Sequence, residues 1–227
     1  GTSLSGVSAP NGRPAGQMVA SLPGILPRPL VGGDGLAYDN DRDLLYAAHV
    51  QTEDWRTFTN RLDVVDAVTG AVLRTIDMAP HLEGDFLGDL AWDGVNLFFM
   101  DMHSGYGARI VRFDPVAEQV LDVLPWVGLG EATWGWWKGL AWGDGYLWLV
   151  LQKQGPWPYE PLLYQIDPRD GRVLARRDLE YPLLMIGNHG ACNGSAYDGS
   201  AVCTGHFMAI SRDTDRPHTP IYRHDPA

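Results

Sequence analysis

Short apolar runs separated by tight polar turns recur four times along this chain. Each repeat opens on a related segment in which Ala precedes an aromatic residue, and the four segments are 34–39, 88–93, 138–143 and 193–198. A turn rich in Asp, Asn or Gly follows each segment, and a second apolar run follows the turn. Two such runs joined by a short turn are typical of a β-hairpin.

A third apolar run in each repeat ends on an aspartate, namely Asp66, Asp114, Asp167 and Asp225. A fourth run follows in three repeats, at residues 71–76, 119–124 and 172–176, whereas the last repeat stops before one. Residues 16–22 fit the template of the fourth run and precede the first repeat. Four antiparallel strands per unit, with the last unit completed from the N-terminus, indicate a β-propeller.

The sequence therefore predicts an all-β fold, a single β-propeller domain over residues 1–227. We expect four blades at about 30–78, 84–125, 134–178 and 188–227, with the N-terminal strand at about 16–22 completing the last blade. Two alternatives stay open. One is a β-sandwich, and the other is half of an eight-bladed ring built from two copies, in which the N-terminal strand completes the partner's last blade.

Composition narrows the classes of partner. The 227 residues are 45% hydrophobic, which is ample for a core, and carry a formal net charge of −11. This charge disfavours nucleic acid and anionic membrane surfaces as partners. We find no apolar span of membrane-crossing length and no signal-peptide pattern at residues 1–4, so we expect a soluble chain, cytoplasmic or mature secreted, and leave the compartment open.

Cys192 and Cys203 are interpreted as buried apolar residues, with a single cross-strand bridge as the alternative.

Two segments of the third repeat resemble a known family. Residues 139–148 (Gly-Leu-Ala-Trp-Gly-Asp-Gly-Tyr-Leu-Trp) and 164–173 (Tyr-Gln-Ile-Asp-Pro-Arg-Asp-Gly-Arg-Val) are similar to repeats of glutamine-cyclotransferase-like propellers and of related lactonase or lyase propellers. The resemblance covers most of the chain and implies the propeller fold. No family-specific catalytic string accompanies it.

Loop length predicts where the site lies. In a propeller the first strand of each blade begins, and the second ends, on the same face. The long segments fall on this long-loop face, at 51–60, 80–87, 127–137, 154–161, 181–192 and 207–220, whereas the short-turn face opposite carries only tight turns. Long loops are typical of binding regions, so we expect the site on the long-loop face over the axis.

Aligning the repeats places Asp34, Lys138 and Asn193 at the heads of first strands, and His49, Gln152 and His206 at the ends of second strands. In a four-bladed ring Asp34 and Lys138 would meet across the axis. One interpretation is metal-free acid–base chemistry, with Lys138 or a histidine as the base and an acid such as Glu131 as the proton donor. The catalytic candidates are Lys138, Asp34, Glu131 and His49.

A second interpretation is a divalent metal ion (Ca, Mg, Mn or Zn) that activates water on the axis. Its candidate ligands are His49, His103, His206 and His189, and they come from distant segments because no local ligand spacing is present. A third interpretation needs no ligand: an Asp34–Lys138 ion pair fills the axis, and the histidines bond to loop carbonyls.

Aromatic residues supply candidates for substrate binding. Trp92, Trp142 and Trp148 lie in strand patterns and are predicted to be core residues. The loop aromatics offer a stacking wall for a ring, with packing of the loops on each other as the alternative. The substrate-binding candidates are Trp136, Trp137, Trp157, Tyr159, Asn193, Gln152 and Trp55.

These observations predict an enzyme that acts on a neutral or cationic small molecule by hydrolysis or elimination, metal-assisted or not. The alternative is a non-catalytic propeller that binds a carbohydrate or a peptide, and an interaction scaffold is the third hypothesis. We expect a monomer or a homodimer, with no nucleic-acid and no membrane partner.

Overall fold

The computed structural model describes residues 35–52, 57–103, 107–124, 136–152, 161–178, 191–197, 202–207 and 221–224. Its strands form four antiparallel sheets, which we call blades 1 to 4. Blade 1 contains β1 (Leu36–Asp39), β2 (Leu44–Thr52), β3 (Phe58–Asp66) and β4 (Val72–Asp77), and blade 2 contains β5 (Phe86–Trp92), β6 (Leu97–His103), β7 (Gly107–Asp114) and β8 (Gln119–Leu124). Blade 3 contains β9 (Trp136–Gly143), β10 (Tyr146–Gln152), β11 (Pro161–Ile166) and β12 (Val173–Asp178), and blade 4 contains β13 (Ala191–Tyr197), β14 (Val202–Phe207) and β15 (Ile221–His224).

The blades pack side by side through their first strands. Strand β1 contacts β5, β5 contacts β9, and β9 contacts β13. One apolar cluster fills the space between blades 1 and 2, and a second fills the space between blades 2 and 3. Sheets that stack face to face along a line of first strands have the architecture of a β-propeller. The predicted all-β propeller fold is confirmed.

Aromatic pairs join consecutive blades. Tyr46 on β2 lies 5.2 Å from Trp92 on β5, between ring centroids. The equivalent pair one blade further on is Phe98 on β6 and Trp142 on β9, which stack at 5.8 Å with an interplanar angle of 9°. Offset aromatic pairs at these distances add to the free energy of burial. Trp92 and Trp148 are buried core residues, as predicted, and Trp142 is half-buried against the cluster between blades 2 and 3.

The aspartates that close the third runs organise the short-turn face. The Oδ1 atom of Asp66 accepts backbone N–H groups from the two residues at positions 68 and 69, and Asp114 does the same with residues 116 and 117. These bonds lower the pKa of Asp66 below its ordinary value, the N–H of Thr69 contributing most. The turns then need one residue with positive φ, which is Gly70 in blade 1 and Glu118 in blade 2.

Strands β2 and β3 run further than the sequence predicted. The segment 51–60 was expected to be a long loop, but the ladder continues through the pairs Gln51↔Thr59 and Thr52↔Phe58. Continued pairing gives backbone groups partners that a loop would have to find elsewhere. The predicted N-terminal strand at 16–22 lies outside the described residues, and three strands of blade 4 lie within them.

The register of blade 4 excludes one expectation about the cysteines. Cys192 pairs with His206 and Cys203 pairs with Ala196, so the two cysteines are well separated along the β13–β14 ladder. A disulfide needs its Cα atoms within about 7 Å, so the predicted alternative of a cross-strand bridge between the two cysteines is wrong.

Within the described ranges, no helix has the length and apolarity that a membrane crossing requires.

Candidate functional site

A β-bulge recurs near the head of the first strand in blades 2, 3 and 4. In blade 2, Gly88 and Asp89 together oppose one residue of β6, because the register shifts between Leu87 and Leu90. In blade 3, Lys138 is the extra residue between the pairs Gly139↔Val150 and Trp137↔Leu151. In blade 4, the shift falls at positions 193 and 194. Bulges commonly redirect a side chain beside an active site.

The bulges coincide with the positions that the repeat alignment placed at the axis. Blades 2, 3 and 4 thus have a polar residue, Asp89, Lys138 and Asn193 respectively, where the first strand departs from regular pairing. Two other predicted residues share the same sheet edge as these bulges. Gln152 pairs with Trp136 at the end of the β9–β10 ladder, and His206 pairs with Cys192.

Asp89 connects three blades at its bulge. Its Oδ2 atom accepts the backbone N–H of Leu140 in blade 3 at 2.8 Å, and its Oδ1 atom accepts the N–H of Leu90 at 2.9 Å. On the other side, Gly35 of blade 1 approaches so closely that a Cβ atom there would lie 2.7 Å from the Cα of Asp89. The carboxylate therefore ties β5 to β9 two residues along the chain from Lys138, while the backbone of Asp89 lies against blade 1.

Asn60 joins blade 1 to blade 2 on the long-loop face. Its side chain is buried, donates from Nδ2 to the carbonyl oxygen of Asp85 at 3.0 Å, and accepts at Oδ1 from the N–H of Leu87 at 2.8 Å. The backbone carbonyl of Asn60 also accepts the N–H of Met78. Sequence reasoning missed this residue, although a polar amide beside the apolar run 62–65 was the signal that could have found it.

A buried ion pair holds the segment that leads into blade 2. Asp101 is fully buried and accepts the Nε–H of Arg109 at 2.7 Å, together with the backbone N–H groups of Glu83 and Gly84. The guanidinium of Arg109 also lies 2.6 Å from the carboxylate of Glu83, which is exposed. The network brings an exposed carboxylate and a cation to the long-loop face.

Sequence reasoning did not single out Asp101 or Arg109. The available signal was one acid inside the apolar run 97–102, since an isolated charge there requires a partner. That partner is Arg109, directly opposite on β7.

His49 is the one predicted site residue whose side chain falls within the described part of the chain. Its imidazole is buried on β2, with Nε2 3.0 Å from the Oδ2 of Asp63 but outside hydrogen-bond geometry. Asp63 in turn accepts the hydroxyl hydrogen of Thr75 at 2.6 Å. The structure thus brings His49 to an acid that the sequence analysis had not proposed.

The other predicted residues divide into two groups. For one group the structure gives the backbone position on a strand: Trp136, Trp137, Lys138, Gln152, Asn193, His103 and His206. The other group lies outside the described residues: Asp34, Trp55, Glu131, Trp157, Tyr159 and His189. Their assigned roles remain predictions.

A catalytic zinc ion takes three protein ligands. Within the described ranges, no three side chains of His, Cys, Asp or Glu come together in a way that could hold one. The buried His49 lies beside Asp63. The side chains of the other three predicted ligands, His103, His189 and His206, lie outside the described residues, so the metal site stays a prediction.

No family model matches the chain, and no curated protein matches it in sequence. Solved structures do match. The GH43B protein of the Bacteroides ovatus xyloglucan locus has 13% identity and a TM-score of 0.54 over 86% of this chain and 39% of its own. A subtype N10 neuraminidase-like protein of A/little yellow-shouldered bat/Guatemala has 10% identity and a TM-score of 0.51 over 86% of this chain and 67% of its own.

The β-propeller domain of the Trilobed protease from Pyrococcus furiosus also matches, with 11% identity and a TM-score of 0.44 over 87% of this chain and 55% of its own. The chain spans about half the length of several solved chains that it matches. At such identities the comparisons establish the propeller fold alone. They do not bear on the resemblance to glutamine-cyclotransferase-like propellers, which stays a prediction.

Proposed function

We propose that this chain is an enzyme that acts on a neutral or cationic small molecule by hydrolysis or elimination at the axial end of its long-loop face. The observation that carries the proposal is the recurrent bulge, because it sets Asp89, Lys138 and Asn193 at equivalent places in three neighbouring blades. Bulges are over-represented next to active sites, where they redirect a side chain, and this supports a functional role for the three positions.

Each residue has a role in this proposal. Lys138 is the general base, and a base is most effective when its pKa lies near the working pH. Glu131 is the proton donor to the leaving group. Asp34 and Asn193, which the repeat alignment places at the heads of first strands, orient the substrate. Asp89 acts as a positioning residue, since its carboxylate accepts the N–H of Leu140 beside the base.

The charge of the molecule supports the substrate class. The net charge of −11 disfavours anionic ligands. The aromatic candidates Trp136, Trp137, Trp157 and Tyr159 would exclude water and stack on the substrate. Trp55 and Gln152 would complete the wall, and the metal-assisted version would use His49, His103, His189 and His206.

The test is a turnover assay with a panel of neutral and cationic esters, lactones, amides and glycosides. We expect Lys138→Met to lower kcat by about 10²- to 10⁴-fold, the range that general acid–base groups supply. The matched control is Arg176→Met on the outer strand of the same blade, where the cation pairs with Asp178 in solvent and activity should stay unchanged. Equal kcat for the wild type and Lys138→Met would refute the role of the base.

A second candidate function is a non-catalytic module for a carbohydrate or a peptide. What favours it is the pair of tryptophans, Trp136 and Trp137, that begins β9 on the long-loop face beside Gln152. In that case no substrate of the panel is turned over, a glycan or peptide array gives binding that does not depend on added metal, and Trp136→Ala abolishes it.

A further inference from the structure

An aromatic pair stands at the long-loop end of the contact between blades 1 and 2. Phe58 begins β3 and Phe86 begins β5, and their ring centroids lie 5.4 Å apart with an interplanar angle of 40°. Both residues are half-buried, whereas apolar residues further along the same strands, such as Leu62 and Leu90, are buried. The pair therefore caps the apolar core and stays partly accessible on the long-loop face.

Phe86 occupies in blade 2 the place that Trp136 occupies in blade 3. Phe86 pairs with Met102 and Trp136 pairs with Gln152, and each pair opens the first ladder of its blade, ahead of the bulge. Strands β5 and β9 contact each other. The register thus sets an aromatic residue at the same level on two neighbouring first strands, on the long-loop side of the bulges of blades 2 and 3.

Hydrogen bonds hold the backbone on both sides of Phe86. The amide of Asn60 donates from Nδ2 to the carbonyl oxygen of Asp85 at 3.0 Å, and its Oδ1 accepts the N–H of Leu87 at 2.8 Å. The N–H of Asp85 donates to the carbonyl oxygen of Met102 at 2.7 Å. Because Asn60 and Leu87 are buried, their bond is shielded from water. Phe86 therefore lies on a fixed segment.

Packing holds the side chain of Phe86 as well. It packs against the apolar cluster between blades 1 and 2 and also against the cluster between blades 2 and 3, and Phe58 packs against the first of these. Support from two clusters and a neighbouring ring restricts the rotamers open to Phe86. A side chain that is ordered before a ligand binds loses less conformational entropy on binding.

We propose that Phe86 is a substrate-binding residue which, together with Trp136, selects substrates that carry a flat apolar ring. A flat ring stacks on aromatic side chains, and a cationic group over the same ring gains a cation–π attraction, which suits a neutral or cationic substrate. Phe58 and Asn60 are positioning residues, because they act through their contacts with Phe86 and its neighbours. This role rests on the proposed function, since the ring would hold the substrate beside the bulges.

The test is equilibrium binding of benzyl alcohol and of isoamyl alcohol to the full chain, followed by saturation-transfer NMR. Both probes are neutral, one has a flat ring, and neither has a bond that the proposed reaction would cleave. We expect the wild type to bind benzyl alcohol more tightly. Phe86→Leu keeps an apolar side chain but removes the ring, so it should weaken benzyl alcohol binding by about 3- to 10-fold and leave isoamyl alcohol unchanged.

Two further variants separate the ring from its support. Phe86→Tyr keeps a ring and should retain the preference for benzyl alcohol, whereas Phe58→Leu should weaken it less than Phe86→Leu does. The matched control is Tyr146→Leu, which removes a half-buried ring from the start of β10 on the short-turn face and should change neither probe.

The proposal is overturned if the wild type shows no preference for benzyl alcohol. It is also overturned if Phe86→Leu lowers the Tm but keeps the preference, as a purely structural cap would. Because binding is read without turnover, the two proposals fail separately. A preference that Phe86→Leu abolishes in a chain that turns over no substrate would refute the reaction and support the aromatic subsite.

Discussion

The two faces of this propeller are built from the same repeats in opposite ways. On the short-turn face, an aspartate accepts the same backbone N–H groups in the turns after β3 and β7, so the arrangement repeats from blade to blade. On the long-loop face, the equivalent positions carry different groups, such as the buried acid Asp101 in blade 2 and His49 in blade 1. Repetition on one face indicates stability, and variation on the other indicates a role that each blade fills differently.

The contrast between the two faces predicts that, of the substitutions considered, a change at Asp101 lowers the free energy of unfolding most. Replacing Asp101 by Asn removes the negative charge that pairs with Arg109 and places an amide among hydrogen-bond donors, so we expect a loss of about 3 kcal/mol in the free energy of unfolding. The measurement is urea unfolding. The same change at Asp114 on the short-turn face keeps an acceptor in an exposed turn and should cost under about 1 kcal/mol. Equal losses would contradict the contrast between the faces.

An intermediate effect is expected at the contact between blades 1 and 2. The change Asn60→Ala leaves the carbonyl of Asp85 and the N–H of Leu87 buried without their partner, which should cost about 2 kcal/mol. The control is Asn96→Ala in the turn of blade 2, where the amide makes only a 3.5 Å contact with Asp93. Calorimetry should show a lower Tm for the first variant and nearly the wild-type Tm for the second.

The smallest expected effect is the pH dependence of stability that Asp167 on the short-turn face contributes. The side chain of Arg169, and then its backbone N–H, lower the pKa of Asp167 from 3.8 to about 2. A lowered pKa in the folded state gives a stabilisation that is fully present above pH 3.8 and is lost as the pH falls through about 2. The Tm difference between the wild type and Arg169→Ala should therefore be largest near neutral pH and shrink as the pH falls from 3.8 through about 2. Arg176→Ala should show no such trend, and a difference that grows with acidity would refute the assignment.

Much of the fold could be predicted from the sequence, because each blade repeats the same pattern of apolar runs and turns. The recurring turns and the apolar runs located the strands of blades 1 to 3, and the aligned aspartates Asp66 and Asp114 marked their turns. The bulges could not be predicted, because a register shift depends on how two strands pair, and the sequence gives the residues of each strand without their pairing. The length of β2 and β3 was missed because most of their extra residues, such as Gln51, Thr52 and Thr59, are polar and do not extend the apolar runs.

The candidate site was predicted less completely than the fold. Alignment placed Lys138 and Asn193 at the heads of first strands, and the backbone register puts both at bulges, whereas their roles stay predictions. Asp101 and Arg109 escaped notice because each is an ordinary charged residue in the sequence, and only the register of β6 and β7 sets them opposite each other.

The central claim is that ligands are bound at the bulges of the long-loop face. The most direct test is hydrogen exchange of the wild-type chain with and without the best substrate or competitive inhibitor from the turnover panel. We expect added protection at residues 136–139 and 191–194, where β9 and β13 carry their bulges, and none at 66–70 or 114–118. Protection confined to the short-turn segments would contradict the claim.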